Sequence, residues 1–252
     1  MITPTIYTLT YNEAYMLPYF VAHYRRMFPG CRIVVFDNES NDGTRALALS
    51  LHCEVRTNAT RGKLDDSRYL QIKNNCWKPD YTPPPFNGEG WEGVEALPGW
   101  AIVVDCDEFL DITAGQLAEE EARGTTHIRG EGFNMVNVLS MSFSSIRHGL
   151  RAPSYDKVVC FNTRHVAEVN YGAGCHADNL IPTNGTPLSG ASYRLRHYKY
   201  IDVNYMVQRH AMFARRLSAI NLKNGWGCHY QYTEAEIRHE FNQAKKWAQI
   251  IF

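Results

Sequence analysis

Ile102-Val103-Val104-Asp105-Cys106-Asp107-Glu108-Phe109-Leu110 sets an apolar, β-branched run against three carboxylates within four positions. Val and Ile at this density belong to a buried strand, and a buried strand carries acids only where something neutralises them. Read as one strand, the segment alternates its side chains, so Asp105 and Asp107 point one way and Cys106 the other. Two parallel carboxylates at a strand end suit Mg²⁺ or Mn²⁺, which take hard oxygen ligands. The competing explanation is a solvated acidic turn after the strand.

The residues before this run alternate between strand and helix signals. Thr5–Thr10 reads as a strand, Tyr15 to Met27 as a helix stopped by Pro29-Gly30, and Cys31–Phe36 as a second strand. The polar turn Asp37 to Thr44 opens a helix over Arg45–Leu51, followed by a strand at Cys53–Arg56 and a helix over Asp65–Trp77. Asp80–Gly99 is a long Pro/Gly loop. The pattern predicts an α/β fold, a mostly parallel Rossmann-like sheet with helices on both faces. Ligands of such sheets sit at the carboxyl ends of the strands, where Asn12-Glu13, Asp37 to Asp42 and Asp105 to Glu108 all fall.

The later part is less regular. Strands are expected at His127–Asn137, Lys157–Asn162 and Tyr193–Tyr200, with Met141–Pro153 and the Gly/Pro/Asn-rich Tyr171–Ser192 as irregular segments. Val203–Leu222 reads as one helix, and Thr233-Glu234-Ala235-Glu236 is a capping box starting a last helix that runs towards Phe252. One domain over 1–252 is the simplest organisation, with a ligand-binding part at 1–112 and a second, irregular part at 113–252.

Lys+Arg and Asp+Glu both total 26, so no global field favours nucleic acid or an anionic membrane. The seven cysteines form no CxxC pair, which points to reduced thiols in a cytoplasmic setting. No apolar run reaches the length of a membrane span, and the basic, aromatic C-terminal stretch (Arg238, Lys245, Lys246, Trp247, Phe252) either rests on a membrane surface or docks onto its own domain. No G-x-G-x-x-G and no G-x-x-x-x-G-K-[ST] occurs, which argues against a dinucleotide fold or a P-loop. A carboxylate-held divalent metal is the other common way to grip a diphosphate.

Thr8-Leu9-Thr10-Tyr11-Asn12-Glu13, Val34-Val35-Phe36-Asp37-Asn38-Glu39-Ser40-Asn41-Asp42-Gly43-Thr44 and Asp105-Cys106-Asp107-Glu108-Phe109-Leu110, in that order, resemble the family 2-like nucleotide-sugar glycosyltransferases, in the branch with a D-x-D-E-F metal motif. The resemblance covers about the first 110 residues. It implies a GT-A fold, a UDP-sugar donor, a glycan or other hydroxyl acceptor, and Mn²⁺ or Mg²⁺. It further implies that Thr8, Thr10 and Glu13 help form the nucleoside pocket, that Asp37 binds the base, and that Asp107 is the direct metal ligand. Asp105 would serve the ribose or a metal-bound water, and Asp42 and Thr44 would shape a turn. Lys63 and Arg68 fall where cations could offset diphosphate charge. Later echoes place His176 as a further metal ligand, with His197 as second choice. Glu108 is expected to face away from Asp107, towards a structural partner.

An inverting transfer of a hexosyl or deoxyhexosyl group needs a base for the acceptor hydroxyl. Glu131 and Asp156 rank equally for that role, with Asp178 behind them. Tyr81, Phe86, Trp91 and Trp100 could form an aromatic acceptor platform or simply anchor their loop. Two alternatives stay open: an NDP-sugar nucleotidyltransferase, which ordinarily carries a Gly-rich basic signature after its first strand, and a non-catalytic nucleotide- or carbohydrate-binding relic of the same fold.

Overall fold

The computed structural model describes residues 2–79, 81, 98–175 and 177–252. Strand β1 (Thr5–Thr10), helix α1 (Leu17–Met27), β2 (Arg32–Asp37), α2 (Thr44–Ser50) and β3 (Glu54–Thr57) follow in the order the sequence predicts. Helix α3 (Asp66–Asn75) precedes β4 (Trp100–Val103). β2 and β4 flank β1 in parallel and β3 extends the sheet beside β2, giving the order β4-β1-β2-β3. Alternate side chains of β1 serve two cores: Ile6 packs with Leu17, Phe20 and Tyr24 of α1, while Tyr7 and Leu9 pack with Ile72 of α3 and with Cys76 at its C-terminal end. Helices therefore cover both faces, and the fold is the expected α/β type.

The Ile102–Leu110 run is not one strand. It is β4, a turn at 104–107, and β5 (Glu108–Leu110). The amide of Glu108 donates to the Asp105 carbonyl at 2.9 Å, and the Asp105 amide donates to Glu108 Oε2 at 3.0 Å, so the segment folds back on itself. Helix α1 pins the result: the Tyr24 hydroxyl donates to the Glu108 carbonyl at 3.0 Å and accepts from the Leu110 amide at 3.1 Å. Strand alternation therefore does not set the directions of Asp105 and Asp107; a turn does.

Helix α4 (Ala114–Ala122), β6 (His127–Val136), β7 (His148–Arg151), β8 (Lys157–Asn162), β9 (Val166–Glu168), β10 (Ile181–Pro182) and β11 (Gly190–Tyr200) come next. β8 runs antiparallel to β4 and to β6, while β11 is parallel to β6 and antiparallel to β5. The segment expected as a loop before Pro153 contains β7, paired to β6 through registers such as Met135 with Gly149. Space is tight at Gly149, where a Cβ would stand 3.0 Å from the Asn134 carbonyl, so the glycine eases the close pairing.

Helices α5 (Val203–Ala214), α6 (Ala219–Asn224) and α7 (Glu234–Trp247) and strand β12 (Gln249–Ile250) complete the chain. The single helix expected at Val203–Leu222 breaks because Leu64 and Leu217 form a β-bridge and Ser218 caps α6. The Thr233 capping box of α7 is present as read. Beyond Trp247 the chain leaves the helix and β12 pairs with β7, so the C-terminal stretch docks on its own domain. No helix among the described residues is long and apolar enough to cross a membrane. The seven cysteines are all free.

Candidate active site

A cavity of ≈ 410 Å³ opens at the carboxyl ends of β1 and β4, lined by Glu13, Asp66, Lys73, the Asp105–Glu108 turn, His197 and Arg209 among others. Its acids and cations come from distant parts of the chain. Lys73 on α3 donates to Asp105 Oδ1 at 2.6 Å with its side chain only 6% exposed. Arg209 on α5 donates to Glu13 Oε1 at 2.6 Å and lies 3.6 Å from Asp107 Oδ2. His197 Nε2 stands 3.7 Å from the same oxygen, and its Nδ1 is 2.7 Å from Asn134 Oδ1. Tyr155 stacks on that imidazole at 4.3 Å between ring centroids. Beneath the turn, Lys157 donates to Glu108 Oε1 at 2.7 Å, the structural partner expected for Glu108.

Burial and charge compete at each group. Burial alone would raise the Asp107 carboxyl, but His197 and Arg209 hold it below the usual carboxylate range. Asp105 is likewise held low against burial, chiefly by Lys73 and then by Lys157. Glu13 goes the other way: burial, reinforced by Asp107 and Asp105, outweighs Arg209 and lifts it to about 7. Its Oε2 is buried with no hydrogen-bond partner among the described residues. Burial also raises Asp66. The cavity thus holds two aspartates kept ionised, a Glu13 carboxyl that titrates near neutrality and an Asp66 carboxyl raised by burial.

Of the residues singled out in the sequence, Glu13, Asp105, Asp107 and His197 meet here. Thr8 and Thr10 are buried inside β1 and do not line the cavity. Asp37 is 2% exposed and its carboxylate is occupied by the Thr10 hydroxyl at 3.5 Å and the Ser40 amide at 3.3 Å. Asp42 accepts from the Thr44 amide and hydroxyl, the turn-shaping role expected for the pair. Lys63 is exposed, and Arg68 is buried against Asn58 Oδ1 and Gln71 Oε1. Neither lines the cavity; the cations paired with its acids are Lys73, Arg209 and, beneath the turn, Lys157. His176 lies outside the described residues, as do Phe86 and Trp91. Trp100 is packed in β4 with its indole donating to Glu121 Oε1, and the Tyr81 hydroxyl donates to the Gln71 carbonyl.

The three expected bases lie elsewhere. Asp156 accepts from Arg151 at 2.5 Å and 2.8 Å and from the Gly132 amide at 2.8 Å, which consumes its oxygens in holding β6, β7 and β8 together. Asp178 accepts from Arg129 and the Val158 amide. Glu131 is exposed on β6, outside the cavity lining.

Lys73 and Arg209 were hidden in the sequence because helix lysines and arginines are most often solvated. A signal existed for each. Lys73 shares a helix face with Tyr69 and Cys76, and Arg209 sits between Tyr205 and Phe213 at helical spacing, so both cations lie on faces that should be buried.

Among the described residues no three His, Cys, Asp or Glu side chains form a ready metal cage. Asp105 and Asp107 do present a pair of ionised hard-oxygen groups to the cavity. That donor set fits Mg²⁺ or Mn²⁺, which is ordinarily held by one or two carboxylates and completed by substrate phosphates and water.

No protein family and no curated protein matches the chain. Among solved structures, S. aureus TarS is similar at 14% identity over 95% of this chain and 43% of TarS, with a TM-score of 0.43. TarS 1-349 solved with UDP-GlcNAc gives 13% identity over 94% of this chain and 69% of that chain, at a TM-score of 0.38. TarS 1-349 with UDP gives 12%, 94% and 68%, at 0.40. The chain thus spans less than half of the full TarS chain.

Proposed function

We propose that this protein is a metal-dependent glycosyltransferase that takes a sugar from a UDP-type nucleotide diphosphate to a hydroxyl of a glycan or similar acceptor, with inversion. One observation carries the reading: acids coded at the ends of β1 and β4, Glu13 with Asp105 and Asp107, share a cavity with Lys73 and Arg209. A cavity needs both signs in this arrangement if it is to hold a diphosphate together with a divalent cation.

Asp107 and Asp105 would hold the Mn²⁺ or Mg²⁺, which as a Lewis acid would offset charge on the departing diphosphate. The chain's own residues do the rest. Arg209 and Lys73 add fixed positive charge beside the leaving group, where a low dielectric strengthens it. His197, oriented by Asn134 and stacked on Tyr155, keeps Asp107 ionised. The carboxyls suited to accept the acceptor's proton are Glu13 and Asp66, both raised by burial and both lining the cavity.

Calorimetric titration of UDP with and without Mn²⁺, on wild type and Asp107→Ala, tests the proposal together with a UDP-release assay over a panel of UDP-sugars. The expected outcome is Mn²⁺-dependent UDP binding that falls at least tenfold in the variant, with UDP released from at least one donor. Equal affinity with and without metal would sink the metal-diphosphate reading, and binding without any release would leave a non-catalytic binder.

A further inference from the structure

Behind the acidic turn lies a second cavity of ≈ 670 Å³, larger than the first, between α1, β5, β11 and the start of α4. The two cavities are back to back across shared strands. Glu108 and His197, paired across β5 and β11, line the acidic cavity; the next pair in register, Phe109 and Arg196, lines the second.

Four arginines face this second space: Arg26, Arg147, Arg194 and Arg196. Among the described residues Asp111 supplies the one side-chain carboxylate of its lining, against four guanidinium groups. Arg196 is fixed, 7% exposed, donating to Asp111 at 2.6 Å and to the Tyr198 hydroxyl at 2.6 Å. Arg194 makes only a 3.7 Å approach to Asp111. Arg147 donates to the carbonyls of Ser144 and Ile146, and neither it nor Arg26 has a carboxylate partner among the described residues. Three of the guanidinium groups gather on the Phe252 ring, at 4.8 Å for Arg196, 5.0 Å for Arg147 and 5.6 Å for Arg194. His23 adds no compensating or further charge: burial first, then Arg196, lowers it to about 3.

Like charges gathered in a concave space repel, and contact with one aromatic ring does not neutralise three guanidinium groups. A bound anion would. Arginine forks match phosphate oxygens in pairs, and four guanidinium groups facing one side-chain carboxylate suit a phosphate dianion better than a single carboxylate. Inorganic phosphate alone would leave most of the volume empty, whereas the partly exposed rings of Tyr19 and Phe252 supply apolar surface against which a sugar can pack. We infer that this cavity is a second ligand site, separate from the acidic cavity, that takes a phosphate-bearing saccharide.

The test is calorimetric titration with glucose 1-phosphate, inorganic phosphate and glucose, on wild type, Arg26→Ala/Arg194→Ala and Lys73→Met. Glucose 1-phosphate should bind wild type most tightly of the three, lose at least tenfold in the double arginine variant, and change no more than about twofold in Lys73→Met. No binding to wild type at millimolar concentration overturns the inference, as does unchanged affinity in the arginine variant. Loss in Lys73→Met alone would place the anion in the acidic cavity instead. Inorganic phosphate binding as tightly as glucose 1-phosphate would overturn the saccharide. Should the double variant melt early, exposed Arg147→Ala replaces it: a threefold weakening is expected, and no change counts against the site.

Discussion

Lys157 and Glu108 form an ion pair of 2.7 Å in which the two side chains are 2% and 1% exposed, directly under the turn that carries Asp105 and Asp107. Neither charge can be solvated if the other is removed. Lys157→Met should therefore cost about 3–5 kcal/mol, the range for breaking a buried pair, whereas Lys157→Met/Glu108→Leu should recover most of it. Because Glu108 Oε2 also accepts from the Asp105 amide, the double variant should regain stability yet bind UDP more weakly than wild type. Urea unfolding reads the first effect and calorimetry the second. A single variant losing under 1 kcal/mol would refute the account.

Glu13 is held near pH 7 by burial, against an ordinary value of 4.5. A carboxyl raised in the fold binds more protons there than in the unfolded chain at intermediate pH. Its stabilising contribution is full below about pH 4.5 and is lost as pH rises through about 7. The amount is on the order of 3 kcal/mol at one pKa unit per 1.4 kcal/mol. Glu13→Gln should flatten the fall in melting temperature between pH 5 and pH 8; an unchanged slope would contradict this.

His23 runs in the opposite direction. Its Nε2 donates to the Leu110 carbonyl at 2.9 Å, which leaves Nδ1 to accept from Arg196 at 3.3 Å, so the ring is neutral in one tautomer. Burial and Arg196 lower it from 6.5 to about 3. Stability from this group is present above pH 6.5 and is lost as pH falls towards 3. His23→Gln should be less acid-sensitive than wild type across that window, read by circular dichroism.

Arg209 touches Glu13 and approaches Asp107, so its loss should harm chemistry more than folding. Arg209→Met is expected to lower kcat/KM for UDP release about 100-fold, roughly 2.7 kcal/mol of transition-state stabilisation. Arg209→Lys should restore part of this, since a charge returns without the fork. A lysine variant no better than methionine would show that charge is not what Arg209 supplies.

Asp156→Asn should keep UDP release within about threefold of wild type, because its oxygens serve Arg151 and Gly132 away from the cavity. The Arg151 pair is 39% and 27% exposed, so the stability loss should be about 1 kcal/mol. Abolished turnover in a folded Asp156→Asn protein would return it to the list of bases.

Much of the fold was legible because its signals are local. Thr5–Thr10 and Lys157–Asn162 are strands with the boundaries read from β-branched and apolar runs, and Thr233 caps α7 through bonds to a residue three positions away. The acidic site was half legible. Carboxylates at strand ends stand out against apolar neighbours, which is how Glu13, Asp105 and Asp107 were found together. Their cations did not stand out, because Lys73 and Arg209 lie on helices where a charge usually means solvent.

The sequence by itself determined the alternation of strand and helix, the α/β sheet, and the segments that bring acids to its carboxyl edge, since hydrophobic period and turn chemistry act over a few residues. Tertiary structure decided what those acids face. Tyr24 pins β5 and turns a single apparent strand into a loop. The Leu64–Leu217 bridge breaks a helix, α5 carries Arg209 to Glu13, and β11 sends Arg196 and His197 into different cavities. Such contacts join residues far apart in the chain, and pairings of that kind depend on packing, which no local pattern encodes.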